Sequence, residues 1–317
     1  MTTTTTDGGT PPEELLVKAG ADGTPARIAW RRFRRDKVSM ACAVIVVALI
    51  VVALIAPLLT ALNGHPPDQP YPDQLNSDLG GLPRGSAGGI SGDFWFGVEP
   101  GTGRDLFSRV VHGARVSLLV SLSAAVVTTV IGTVAGLCAG YFGGWVDAAI
   151  GRLMDLFFSF PSLIFMIALL AVLPDIPRIP LLVVILSTFA WPTLGRIVRG
   201  QTMSLRRQEF VEAAEAAGCG TWFILLKEIL PNLVAPITVY STMVIPAFIE
   251  TEAALSFLGL GIQPPTASWG QMLSSSVTWY SSDPMYFVVP GIFLFVTVLS
   301  FNLLGDGLRD SLDPRGR

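Results

Sequence analysis

Charge is scarce in this chain. Only 14% of its 317 residues are Asp, Glu, Lys or Arg, against 51% apolar, too little charge to cover the surface of a soluble domain of this size. Cysteine is scarce as well: Cys42, Cys138 and Cys219 lie far apart without metal-ligand spacing, two of them inside apolar runs, which argues against a disulfide framework. The two histidines, His65 and His112, are too few for a histidine-rich metal site and read as ordinary loop residues. A net charge of −3 supplies no basic face for nucleic acid. The phosphate-binding pattern G-x-x-x-x-G-K-S/T is missing. So is any nucleophile–base or metal constellation, and no catalytic residue or resident metal is expected.

What the chain has in quantity is long apolar runs. They extend from Val38 to Leu62, Val116 to Phe142, Leu153 to Leu173, Ile179 to Gly195, Asn232 to Ile249 and Met285 to Gly305. The third carries one acid, Asp155, and the fifth continues past Glu250 and Glu252 towards Leu260. Each approaches or exceeds the roughly 17–25 residues that cross a bilayer as a helix. Lipid leaves few alternatives, because an unpaired backbone group is costly there. The runs are continuous rather than alternating, which excludes a β-barrel. An all-α, polytopic membrane protein with six transmembrane helices is predicted. The first run is too long and starts too late for a cleaved signal peptide, and no A-x-A site follows it.

The organisation that follows is a disordered tail over 1–26, a basic segment and first helix over 27–62, and a polar extracytoplasmic segment over 63–112. A five-helix core over 113–305 comes next, interrupted by a polar, helix-prone loop at 200–231, and a short tail covers 306–317. With the N-terminus inside, 16 of the 21 lysines and arginines fall on inner segments. Only Arg84, Arg104, Arg109, Arg115 and Arg178 fall outside. The block Arg31-Arg32-Phe33-Arg34-Arg35 immediately precedes the first apolar run. Both termini are therefore expected in the cytoplasm.

The inner loop between the fourth and fifth runs contains Arg206-Arg207-Gln208-Glu209-Phe210-Val211-Glu212-Ala213-Ala214-Glu215-Ala216-Ala217-Gly218 and ends at Ile229-Leu230-Pro231. Its Ala and Glu content favours helix. Gly218 suits a helix C-terminus, and Pro231 suits the start of the next element. Phe210, Val211, Ala214 and Ala217 can share one face, with the charges elsewhere. A short amphipathic helix outside the membrane, offering an apolar face to a partner, is predicted; a plain connector lying on its own bundle is the alternative. A connector of more than thirty residues is long for adjacent helices.

Glu212-Ala213-Ala214, Gly218 and Ile229-Leu230-Pro231 resemble the EAA loop of permease subunits in bacterial binding-protein-dependent ABC importers. The common form has its isoleucine one position earlier, where this chain has Glu228. Three further stretches resemble the C-type permease of dipeptide and oligopeptide systems, in the peptide, opine and nickel branch. They are Gly103 to Arg109 with Gly113-Ala114-Arg115, then Leu255 to Gly261, then Pro264 through Trp269-Gly270.

The resemblance implies a type I ABC-importer permease architecture in a bacterial inner or plasma membrane. It implies a companion B-type permease, one or two cytoplasmic ATP-binding subunits that hold ATP and Mg, and an extracytoplasmic substrate-binding protein. The cargo implied is a di- or oligopeptide, with nickel chelates, opines or other small solutes as alternatives. Carried over by position, Phe210, Glu212, Ala213, Ala214, Gly218, Leu230 and Pro231 form the coupling contact with the ATPase. Glu250 and Glu252 are candidates for the translocation cavity, or for a structural pair hydrogen-bonded to a neighbouring helix. Asp147, Arg152 and Asp155 read as interfacial ion pairs, and Gly132, Thr133, Gly136 and Gly140 as tight helix packing. A self-contained, ion-driven secondary transporter is the rival from another mechanism class. It calls for internal repeats and several midplane acids, and leaves the inner loop unexplained.

Overall fold

The computed structural model describes residues 25–173 and 176–312. The expected tail over 1–26 lies almost wholly outside them, as do the last five residues of the expected tail over 306–317.

A basic helix α1, Pro25–Arg35, precedes the first apolar helix α2, Lys37–Leu54. Asp36 separates them in an extended conformation and caps α2, its carboxylate accepting from Val38 N at 3.0 Å and Ser39 N at 3.3 Å. Pro57 breaks the first apolar run at Ile55, because its ring excludes the carbonyl one turn earlier. The remainder forms α3, Ala56–Asn63, which Gly64 ends in the left-handed conformation.

The segment that follows is loop with one short antiparallel ladder, β1 Leu75–Asn76 against β2 Leu82–Pro83. His65, Tyr71 and Phe94 hold it together, with ring centroids 4.3–5.3 Å apart. His65 therefore packs in a small aromatic core, and His112 is helical rather than in a loop.

Helix α4, Leu106–Phe142, begins seven residues inside the polar segment, since Asp105 caps it by accepting from Ser108 N at 2.9 Å. Its 37 residues span about 55 Å, well beyond a hydrocarbon core of about 30 Å, so at least one end stands clear of the lipid. The third run is two helices, α5 Gly144–Ser159 and α6 Ser162–Val172, bent by 83°. Pro161 has no amide hydrogen and holds Phe160 extended, which ends α5 there.

Helix α7, Arg178–Leu205, continues ten residues past the fourth apolar run. Helix α8, Glu209–Ala216, leads into α9, Thr221–Phe257. Pro231 stands in the first turn of the α-helical part of α9, Leu230–Phe257, as expected of a helix start. A π-helical stretch, Ile224–Ile229, immediately precedes it and widens the turn where the proline can neither donate nor fit a regular ladder. Helices α10, Trp269–Ser276, and α11, Met285–Leu312, follow. Among the described residues, five helices are long and apolar enough to cross a membrane, and α5 with α6 makes a sixth span when the bent pair is counted as one.

The centre of the bundle is the α4–α7 contact. Cβ atoms built on Gly132, Gly136 and Gly140 would come within 2.6–2.9 Å of Leu194, Val198 and Thr202 side chains. These glycines let the two backbones touch, in place of a hydrophobic force that lipid cannot supply. Gly136→Leu is expected to separate the helices and lower stability by about 1–3 kcal/mol or more. A fall in the melting temperature of the detergent-purified protein checks this.

Candidate functional site

The loop between α7 and α9 folds as a helix held on its own bundle. Val211 is fully buried and Ala214 half-buried, packed with Leu137 and Tyr141 of α4, Leu194 and Val198 of α7, and Ile224, Leu225, Ile229 and Leu233 of α9. Tyr141 Oη donates to Glu215 Oε1 at 3.3 Å, and Arg206 Nη1 donates to the Tyr141 carbonyl at 2.5 Å. Gly218 ends α8 with a φ of +78°. Its amide bonds Glu215 O and the Cys219 amide bonds Ala214 O, both at 3.0 Å.

The predicted face is therefore split. Two of its four members, Val211 and Ala214, turn into the bundle, while Phe210 and Ala217 remain exposed. Glu212, Ala213 and Gly218 are also exposed; Leu230 is half-buried and Pro231 exposed. Glu209 and Glu212 occupy the first turn, where the helix dipole favours acids. Sequence reasoning passed over Trp222, Phe223 and Leu226, which are 66%, 49% and 53% exposed at the start of α9. The signal was present in the sequence: large apolar side chains just after Gly220, in a loop read as polar.

Above this loop, two ion pairs tie the bent pair to α7. Arg199 grips Asp147 with two nitrogens, the second at 2.7 Å. Arg196 Nη2 donates to Asp155 Oδ1 at 2.5 Å, with its guanidinium 4.0 Å from the Phe158 ring centre. An open groove of about 410 Å³ lies here, lined by these four charged residues with Arg152, Gly151 and Met154.

The two acids in the second half of α9 have opposite surroundings. Glu252 is fully buried; its Oε2 accepts from Ser117 Oγ of α4 at 2.9 Å and its Oε1 from Ser256 Oγ at 2.8 Å. Ser256 Oγ in turn accepts from Ile262 N at 2.9 Å. Glu252 thus joins α4, α9 and the following loop. Glu250 is exposed on the surface of the bundle.

A family model described as "Binding-protein-dependent transport system inner membrane component" matches residues 132–317, the stretch that holds α8, α9 and the α4–α7 glycine contact. The chain belongs to this family. A second model, "N-terminal TM domain of oligopeptide transport permease C", matches residues 24–79. Relatives described as "Glutathione transport system permease protein GsiD", from Escherichia coli O6:K15:H31 and Shigella boydii serotype 4, are each 42% identical over 300 residues. Each alignment covers 95% of this chain and 94% of the relative. A chain of the MetNI methionine ABC transporter in an inward-facing conformation shares the fold, with a TM-score of 0.52. That likeness covers 66% of this chain and 98% of the other at 19% identity.

In this permease two of the three stretches that carried the peptide-branch resemblance, those around Arg109 and Trp269, meet in one hub. Arg109, fully buried, donates from Nε to Glu99, from Nη2 to Gln271 Oε1 at 2.9 Å, and from Nη1 to the Pro265 carbonyl at 3.0 Å. Tyr286 Oη donates to Glu99 Oε1 at 3.1 Å. Trp269, also fully buried, donates from Nε1 to the Val110 carbonyl at 3.1 Å. Gly113 and Gly270 let the Trp269 turn approach α4 and α9 closely. Beside the hub, Asn63 Nδ2 donates to Asp105 Oδ2 at 2.8 Å and Ser108 Oγ donates to the His65 carbonyl at 2.6 Å. Burial raises the Asp105 carboxyl above the usual carboxylate range, opposed by the hydrogen bonds from Ser108. The segment between α3 and α4 is thereby fastened to α4, α10 and α11.

Proposed function

We propose that this permease is the C-type subunit of an ATP-driven importer of di- or oligopeptides. Its membrane bundle pairs with a companion B-type permease. One or two cytoplasmic subunits bind ATP and Mg, and an extracytoplasmic protein delivers the peptide. Both termini lie in the cytoplasm, following the lysine and arginine distribution. The cargo reading rests on relatives described as glutathione permeases, glutathione being a tripeptide.

The observation that carries the mechanism is the division of labour on α8. Val211 and Ala214 clamp the helix to α4, α7 and α9, while Phe210, Glu212, Ala213, Gly218 and Pro231 face outward. A subunit seated on the outward residues, with Leu230 at their edge, moves the helix and the bundle together. Alternating access follows when closure of the ATP-binding subunits is passed through this contact. The small Ala213 allows close approach, and Gly218 makes the turn that returns the chain to α9.

An exposed carboxylate within a membrane helix is costly against lipid, so the face of α9 bearing Glu250 is assigned to the water-filled path shared with the companion permease. Glu250→Ala is expected to lower peptide uptake several-fold without changing the melting temperature. Glu252→Ala instead leaves the Ser117 and Ser256 hydroxyls without their acceptor and lowers stability by about 1–3 kcal/mol. Uptake and thermal unfolding of the two variants, measured side by side, check the assignment. Loss of stability in the Glu250 variant would remove it from the path. Uptake of a labelled tripeptide by cells expressing the complete importer, competed by unlabelled di- and tripeptides, tests the cargo.

A further inference from the structure

Helix α1 has an unusual composition for its place. Pro25–Arg35 contains Arg27, Arg31, Arg32, Arg34 and Arg35 and no acid, and Lys37 adds a sixth cation. Arg27, Arg31, Arg34 and Arg35 are all exposed and recur at helical spacing, which places them within an arc of about 100° on one side of the helix. The adjacent acid, Asp36, is occupied in capping α2 and hydrogen-bonding Ser39 Oγ.

Trp30 lies beside the arginine stripe, 57% exposed, and stacks on Phe33 with ring centres 5.9 Å apart. Phe33 is buried, and α1 packs against α11, so the helix has a fixed seat. A single extended residue joins α1 to a helix whose own surface, at Val38, Val44 and Val47, is apolar and exposed. The arginines consequently stand at the level where the apolar span ends.

We propose that α1 lies in the headgroup layer of the cytoplasmic leaflet and binds anionic phospholipid. The exposed arginines meet the phosphates, and Trp30 enters the boundary with the acyl chains. This rests on the orientation proposed above for its side of the membrane. The charge complementarity does not depend on that orientation. An acidic patch on a cytoplasmic partner is the competing occupant.

The test uses the complete importer reconstituted in phosphatidylcholine, alone or mixed equally with phosphatidylglycerol. Each cation near an anionic surface contributes roughly fivefold in affinity, so Arg31→Gln, Arg34→Gln and Arg35→Gln together are expected to weaken phosphatidylglycerol binding by on the order of 100-fold. Retention of phosphatidylcholine stays unchanged. Brominated phosphatidylglycerol quenches the emission of Trp30, read as the difference between the wild-type complex and Trp30→Phe; this measurement stands even if the triple variant fails to assemble. Equal phosphatidylglycerol retention by triple variant and wild type, or quenching identical with and without Trp30, would overturn the proposal. So would loss of the ATP-binding subunits in detergent with lipid binding intact, which would give the arginine face to a protein. Accessibility of an N-terminal tag in inside-out vesicles reports the orientation separately.

Discussion

Glu212→Lys or Gly218→Leu in the assembled importer is expected to cut ATP-driven peptide uptake by roughly ten- to 100-fold, the range typical of a lost coupling free energy between sites. The amount of permease in the membrane is expected to remain normal. Both residues are exposed and neither has a packing role to lose: nothing lies within 4 Å of a Cβ built on Gly218. The leucine acts in two ways. It strains a backbone held at a φ of +78°, at about 1–2 kcal/mol, and it places bulk on the outward side of the turn. The lysine reverses charge at the helix N-terminus and on the contact face. Val211→Ala is the contrasting variant. It removes a fully buried side chain from the cluster around Tyr141 and Ile229, so stability falls along with uptake. Normal uptake at normal expression in the Glu212 and Gly218 variants would remove α8 from the coupling pathway.

Arg109→Ala is expected to lower stability by about 3–5 kcal/mol, because it leaves Glu99 buried without a cation. Gln271 and the Pro265 carbonyl lose their donor in the same step. The segment between α3 and α4 is expected to loosen from α10 and α11, with protease cleavage within 64–105 reporting the release. Adding Glu99→Gln to Arg109→Ala should restore part of the loss, since the amide carries no charge and Tyr286 can still donate to it. A double variant no more stable than Arg109→Ala alone would show that the hub is held by packing rather than by the charge pair. Thermal unfolding of the two variants decides between them.

The spans were legible in the sequence because the lipid-facing backbone must bond within itself, which leaves long apolar runs as the mark of helix, although the first and third runs are broken at prolines. Their ends were less legible. Helix α4 reaches back to Leu106 and α7 onward to Leu205 because capping and ion pairs support polar helix beyond the lipid, and hydropathy does not register that. The break at Phe160–Pro161 had a visible cause in the proline, hidden by apolar residues on both sides.

Position within the candidate site divides in the same way. Gly218 ends α8 as its place after an Ala- and Glu-rich stretch suggested. Periodicity put Val211 and Ala214 on an apolar face but could not say that this face belongs to the bundle, since both a partner and the chain's own core offer the same chemistry. The Arg109 hub was beyond reach for another reason. Arg109 and Gln271 are 162 residues apart in sequence, and local patterns carry no information about contacts at that distance. The same stretches were noticed as motifs without any sign that they meet.

The central claim is that α8 couples this permease to separate ATP-binding subunits. Purification of the tagged chain in mild detergent, with its partners identified by mass spectrometry, tests it most directly. Recovery of a second permease and one or two ATP-binding subunits, the latter lost on Glu212→Lys, is the predicted result. Recovery of the chain alone, active in ion-driven uptake without ATP, would contradict it.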